Sequence, residues 1–284
     1  MMTCDLCGGN EAMQILQSPN LDGPLVRCAS CRLYYVGSRR SQLTFGSGSA
    51  EDVAERVRQA NERFQNLRLA EEHRLGLLNA QWRLKMIREM CPSGRLLEVG
   101  CARGDFLSVS KSHFDLLGVE PNPELADSAQ RFASIHRDVI ETLNAGSFDV
   151  AASFHVIEHV DSPRRFIASM AERVRKGGTV VIETPNIAGF PFRLFGSRWR
   201  QFIPEHYYFF DPGTITRLME SNGLKVEKIL NVGKYASVEL VLNRLSRYTG
   251  LISPFAAIAR GLGLSRLTLR LNPGDIMFVV ARKV

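Results

Sequence analysis

The sequence has no run of ~18 consecutive apolar residues, the length a membrane-spanning helix needs. It also lacks a basic start followed by an apolar stretch, so no secretory leader is expected. Aromatic residues are sparse at 8%, with two tryptophans among 284 residues. No lysine occurs before Lys85, and Arg27 and Arg32 are the basic residues near the N-terminal cysteines. A nucleic-acid-binding module needs clustered positive charge, so that role is not expected of this region. What is present suits a soluble globular protein: 45% hydrophobic and 23% charged residues. The length fits two domains, or one α/β domain with additions. A cytoplasmic location follows as the expectation, and with it six cysteines without structural disulfides. The net charge of +7 is uneven. Residues 96–186 are acidic and residues 187–284 strongly basic, which argues against one uniform nucleic-acid face.

Four cysteines fall in two close pairs, Cys4-x2-Cys7 and Cys28-x2-Cys31. Each pair presents two sulfurs from one tight turn, and two such turns close a tetrahedron around Zn²⁺. With all four positions filled by thiolate, the expected zinc is structural. Gly8 and Gly9 suit the first turn, and residues 10–27 read as a hairpin. Cys91 and Cys101 lie far from this group. Beyond a Ser/Gly-rich loop from Arg39 to Ala50, Val53, Val57, Ala60, Phe64 and Leu67 form a helical stripe, resumed at Leu75, Leu78 and Trp82. The expected organisation is a zinc ribbon over 1–40, a helical connector over 41–91, and a cofactor-binding α/β domain over 92–284.

That last domain opens with an apolar strand at 95–99, a turn from Gly100 to Gly104, and a helix beginning at Asp105. Strand, glycine-rich turn and helix form the first half of a nucleotide-binding unit. A second strand ends in Glu120, about 20 residues on, where such folds place the carboxylate that binds ribose hydroxyls. The dinucleotide fingerprint G-x-G-x-x-G is missing. Glu98, just before the first glycine, would repel a pyrophosphate. A positively charged, phosphate-free nucleoside suits it, and S-adenosylmethionine fits that description better than NAD or FAD.

At these residues the sequence resembles the class I S-adenosylmethionine-dependent methyltransferases. Glu98-Val-Gly100-Cys-Ala-Arg-Gly104 is similar to their first motif, with Ala102 where a middle glycine stands. Glu120 matches the acid after their second strand, and His136-Arg137-Asp138 the end of the third. Phe148 to Phe154 resembles the fourth strand, and Gly177 to Asn186 the turn and fifth strand. The resemblance implies a Rossmann-like, seven-stranded α/β sheet with an antiparallel last strand. It also implies cofactor contacts from Glu98, Gly100, Cys101, Gly104, Glu120, Pro121, Asp138, Val139, Phe154 and His155. The four cysteines ahead of this core, His155-Val-Ile-Glu158-His159, and Glu205 to Pro212 look like bacterial methyltransferases of sugar and polysaccharide biosynthesis.

Methyl transfer to a hydroxyl or carbon acid needs alignment and a base. His206 is the first candidate base, His155 the second, and Glu205 an auxiliary. Tyr207 and Tyr208 are candidate lining of the acceptor pocket. His155-x-x-Glu158-His159 also matches the H-x-x-E-H string of inverted zinc proteases. Its place at a strand end argues against that reading and for residues that fix the loop at a helix start. Residues 238–271, with Arg244, Arg247, Arg260, Arg266 and Arg270 among apolar residues, form a basic insertion expected to be a lid or homodimer interface rather than a membrane contact. The expected acceptor is a small molecule, a sugar or sugar nucleotide by preference. An RNA methyltransferase and a non-catalytic scaffold of the same fold stand as the alternatives.

Overall fold

The structure, a computed structural model, describes residues 3–38, 69–245, 261–262, 264 and 267–284. The stripe from Val53 to Leu67 and the arginines at 247, 260 and 266 lie outside the described residues.

Three short strands come first: β1 (Ala12–Leu16), β2 (Leu25–Cys28) and β3 (Tyr34–Val36). Helix α1 (Leu69–Arg88) leads into β4 (Gly94–Val99), α2 (Asp105–Ser110), β5 (Phe114–Val119), α3 (Pro123–Ala129) and β6 (Ser134–His136). Then follow β7 (Phe148–Phe154), α4 (Pro163–Arg173), β8 (Val174–Pro185), α5 (Phe190–Phe195), β9 (Tyr208–Phe209) and α6 (Pro212–Glu220). The chain closes with β10 (Leu224–Asn231), β11 (Lys234–Ser237), α7 (Val238–Leu245), β12 (Thr268–Leu271) and β13 (Ile276–Lys283).

Seven strands form the main sheet in the order β10-β13-β8-β7-β4-β5-β6. The pairs β4–β5, β5–β6, β4–β7 and β7–β8 are parallel, and β13 runs antiparallel to both β8 and β10. This is the expected α/β architecture, last strand included. The central strands are apolar on both faces because helices cover both. Leu96, Leu97, Val150, Ala151, Val180 and Val181 are fully buried. The strand order reverses at β4, so the crevice beyond the ends of β4, β5 and β7 is where an open α/β sheet binds its ligand. Capping fixes where the flanking helices begin. The Asn122 side chain accepts from the Leu125 amide at α3, and Asp211 and Thr214 form a reciprocal capping box at α6.

The N-terminal strands do not form a sheet of their own. Their order is β1-β2-β3-β9, so the fourth strand comes from the far side of the sequence. Tyr34 pairs with Phe209 and Tyr35 with Tyr208, and the Val36 amide donates to the Tyr207 carbonyl at 2.9 Å. Asp5 adds a further tie, accepting from Ser162 Oγ at 2.6 Å and the Arg164 amide at 2.8 Å. The basic insertion is described only at its ends. There β12 pairs with β11, and the Arg270 guanidinium lies over the Trp82 ring of α1, 4.5 Å from its centroid. Among the described residues, no helix is long and apolar enough to cross a membrane.

Candidate active site

The turn after β4 is built for close approach. Gly100 has φ 76°, and a Cβ there would stand 2.3 Å from Val156 Cγ2 in the turn after β7. Only glycine fits that conformation and that gap. Ala102 has φ 47°, the left-handed geometry that the missing glycine would adopt freely. Its amide donates to Glu120 Oε2 at 2.9 Å, and the Asn122 amide donates to Glu120 Oε1 at 3.0 Å. Glu120 therefore braces the turn from the end of β5. Burial pushes its carboxyl above the usual range, opposed by these two amides. Each oxygen keeps a further lone pair for a ligand hydroxyl.

Glu98 stands on β4 behind the same turn and is 4% exposed. Burial drives its carboxyl well above the usual carboxylate range; Arg83 opposes this, while Asp105 and Glu120 add to it. Its Oε2 has no hydrogen-bond partner among the described residues. A buried acid with an orphaned oxygen is costly unless something satisfies it. A cation at the strand end does so, and the ammonium of S-adenosylmethionine has the right charge and donors. A cavity of about 170 Å³ opens at the ends of the same strands, with Gly100, Val119, Pro121, Val139 and Ile140 in its wall alongside Glu141, Asp161 and Arg165, a mixed lining whose apolar part suits a purine. The residues present thus fit the cofactor that the sequence implies.

The structure gathers Glu98, Gly100, Cys101, Gly104, Glu120, Pro121, Val139, Phe154 and His155 at the ends of β4 to β7. Cys101 is buried, and its sulfur packs against Gly118 of β5. Asp138 is exposed and turned back on its own loop, accepting from the Val139 amide and from Thr142 Oγ1.

A buried polar network, largely missed in the sequence, lies beyond Phe154. His155 has φ 58° and sits between two carboxylates: Nδ1 is 3.0 Å from Glu158 Oε1 and Nε2 is 2.9 Å from Glu183 Oε1. The ring thus bridges the two acids, one at each nitrogen. Glu183 also takes a two-point ion pair from Arg83 of α1, whose guanidinium lies 4.4 Å from the Phe154 ring centroid. Lys234 Nζ stands 3.8 Å from the same carboxylate, and burial draws its pKa down to about 8. The signal for Glu183 was an acid within the apolar run of β8. Nothing local marked Arg83 or Lys234.

His206 is 5% exposed, and its Nδ1 is 2.7 Å from the Gln201 carbonyl oxygen. Burial and the neighbouring His159 push its pKa down to about 3. Glu205 turns its carbonyl to His159 Nδ1 at 2.9 Å. Tyr207, Tyr208, Phe209 and Phe210 are all buried, and β9 pairs with β3, so this aromatic run belongs to the core. Glu158 and His159 are not at a helix start. They lie in the turn after β7, ahead of α4, which begins at Pro163.

The cysteine cluster is a separate feature. Cys4 and Cys31 sulfurs are 3.4 Å apart, those of Cys7 and Cys28 3.5 Å, and all four lie within 4.8 Å of one another. Tetrahedral zinc thiolate requires sulfur separations of about 3.8 Å at ~2.3 Å bonds. Backbone amides serve the sulfurs as well: Leu6 and Cys7 at Cys4, Ser30 and Cys31 at Cys28. Burial alone would raise the Cys28 thiol, but those amides bring it down to about 7. Donor type, number and spacing fit a structural zinc.

The profile of a family described as "Methyltransferase domain" matches residues 58–229. Among curated proteins, the chain is 32% identical over 108 residues to the mitochondrial ubiquinone biosynthesis O-methyltransferase of Schizosaccharomyces pombe, covering 33% of this chain and 39% of that one. It is 25% identical over 161 residues to the human counterpart, covering 49% and 43%. The match to the Coxiella burnetii ubiquinone biosynthesis O-methyltransferase (strain Dugway 5J108-111) is 27% over 169 residues, covering 53% and 72%. The chain thus spans about two fifths of the length of the first two relatives. Two solved structures share the fold. One is the magnesium protoporphyrin IX methyltransferase of Synechocystis, with a TM-score of 0.53, 10% identity, and 84% and 100% of the two chains covered. The other is a possible histamine N-methyltransferase of Thermotoga maritima, with a TM-score of 0.52, 20% identity, and 81% and 97% covered. With the glycine-rich turn, its two buried acids and the seven-stranded sheet all inside or beside the matched span, the chain belongs to the methyltransferase domain family.

Proposed function

We propose that this protein is an S-adenosylmethionine-dependent methyltransferase acting on a hydroxyl of a small molecule. The observation that carries this reading is the buried Glu98 carboxyl, its Oε2 without a partner among the described residues, at the strand-order reversal beside the Gly100 turn. An oxygen acceptor is favoured because the ubiquinone-pathway relatives are named O-methyltransferases. A sugar or sugar nucleotide is the first acceptor to screen, because the cysteine pairs ahead of the core resemble those of sugar methyltransferases. Zinc in the four-cysteine site is structural in this reading.

When bound, the cofactor supplies a methyl group already activated on a sulfonium, so the protein contributes alignment, exclusion of water and proton removal. Glu98 would meet the ammonium, Glu120 the ribose hydroxyls, and Val139 and Ile140 the purine. His155, fixed by two acids, orders the floor of the site. His206, with its pKa pushed to about 3, holds a proton poorly at neutral pH. Lys234, drawn down to about 8, still holds its proton at neutral pH beside the Glu183 carboxylate at 3.8 Å, so it contributes positive charge to the floor of the site.

Calorimetric titration with S-adenosylmethionine tests the reading, and no binding to folded protein would overturn it. A linked prediction separates the role of Glu98. Its raised pKa means that an incoming cation displaces a proton from the carboxyl. Affinity should therefore strengthen as pH rises, and the heat of binding should depend on the ionisation enthalpy of the buffer. Glu98→Gln should abolish that buffer dependence; its persistence in the variant would remove Glu98 from the site.

A further inference from the structure

A second group of ligating side chains lies where the turn after β7 meets the segment leading into β9. One ligand atom from each of Glu158, His159 and His206 lies within 4.8 Å of the other two. We propose that these three residues bind one divalent metal ion of the zinc type, separate from the cysteine site.

The orientation of the side chains supports this. His159 Nδ1 is held by the Glu205 carbonyl at 2.9 Å and His206 Nδ1 by the Gln201 carbonyl at 2.7 Å. A carbonyl accepts, so Nδ1 carries the hydrogen in each ring and Nε2 carries the lone pair. Protein metal sites orient imidazole ligands through this kind of outer contact. Glu158 is equally fixed. Its Oε1 takes His155 Nδ1 at 3.0 Å and its Oε2 takes Thr184 Oγ1 at 2.9 Å, with no exposed surface on the residue. Its main-chain oxygen accepts from the Tyr207 amide at 2.8 Å, which ties the two ligand-bearing segments together. Two imidazoles and a carboxylate suit zinc and its transition-metal neighbours, and disfavour calcium and magnesium, which take oxygen ligands. Three protein ligands leave one position of a tetrahedral ion for water. The histidine pair is His159 with His206, so the ligand set differs from the H-x-x-E-H string, whose first histidine here faces two carboxylates.

The test is a cobalt titration of metal-free full-length protein, followed by its absorption spectrum. The expected result is two equivalents per chain. One should show the near-ultraviolet sulfur-to-metal bands of thiolate ligation, and the other visible bands without them. His206→Gln should lose the second equivalent and keep the first; Cys4→Ser with Cys31→Ser should do the reverse. One equivalent in folded wild type, carrying thiolate bands, overturns the proposal. So does a folded His206→Gln variant that still takes two. Should that variant fail to fold, Glu158→Gln and the wild-type stoichiometry decide between the same two outcomes. Metal counting is independent of catalysis, so the outcome stands apart from the methyl-transfer reading.

Discussion

Replacing Glu120 by alanine should weaken S-adenosylmethionine binding by about 100-fold or more and destabilise the fold at the same time. Two effects add. The ligand loses a charged acceptor for its ribose hydroxyls, and hydrogen bonds to charged groups contribute about 1.5–3 kcal/mol each. The protein loses the brace of its own turn, because the Ala102 and Asn122 amides both donate to this carboxylate. Buried amides left without acceptors cost about 1–3 kcal/mol each. Glu120→Gln keeps an acceptor oxygen and should fall between wild type and alanine in both respects. Calorimetry reads the first effect and urea unfolding the second. An alanine variant within threefold of wild-type affinity would show that this carboxylate serves the turn alone.

The second large effect should come from Glu183→Leu, which strands Arg83 and His155 in the interior. Glu183 is 2% exposed and the Arg83 side chain 14%. Removing one partner of a buried pair typically costs about 3–5 kcal/mol, because the other charge stays buried and uncompensated. Arg83→Met together with Glu183→Leu should recover much of that loss. Unfolding curves of the two single variants and the double variant measure it, and additive losses would mean the pair is not coupled. The pH dependence has a definite sign. Burial opposes ionisation of Glu183, but Arg83, His155 and Lys234 hold its carboxyl well below the usual range. Its stabilising contribution is therefore complete at neutral pH, begins to fade below the unfolded carboxylate pKa of ~4.3, and is lost as pH falls through the lower folded value.

The parts that were legible in the sequence are those written in short, local patterns. The apolar runs at 95–99, 148–154 and 276–281 became β4, β7 and β13 because strands in the interior of a sheet covered on both faces need apolar residues on both sides, whether they run parallel or, like β13, antiparallel. The Gly100 turn was legible because its backbone conformation demands glycine. The Cys4–Cys7 and Cys28–Cys31 pairs were legible because two thiols from one turn carry their own spacing. The network behind Phe154 was not. Arg83 and Glu183 are 100 residues apart, and only the folded sheet brings α1 over the end of β8. His206 looked like a base in an aromatic run, but its chemistry depends on burial beside His159, which a linear pattern does not encode. Two-residue β9 is too short to show an alternation, and its partner lies at the other end of the chain.

That pairing of β9 with β3 bears on how this protein could be inherited or cut. Residues 3–38 precede the matched family span, so they look like an appendage that could be gained or lost as a unit. They instead supply three strands of a shared sheet whose fourth, Tyr208–Phe209, comes after β8 in the chain. Removing them would strip the partner from β9 and leave a bare sheet edge over an aromatic core. Conversely, a cut in the chain between residues 39 and 68 would sever the covalent link and leave the β3–β9 hydrogen bonds and the Asp5 ties in place. The two pieces therefore meet along a matched surface, and a swap of either would have to carry the other's half of the β3–β9 pairing.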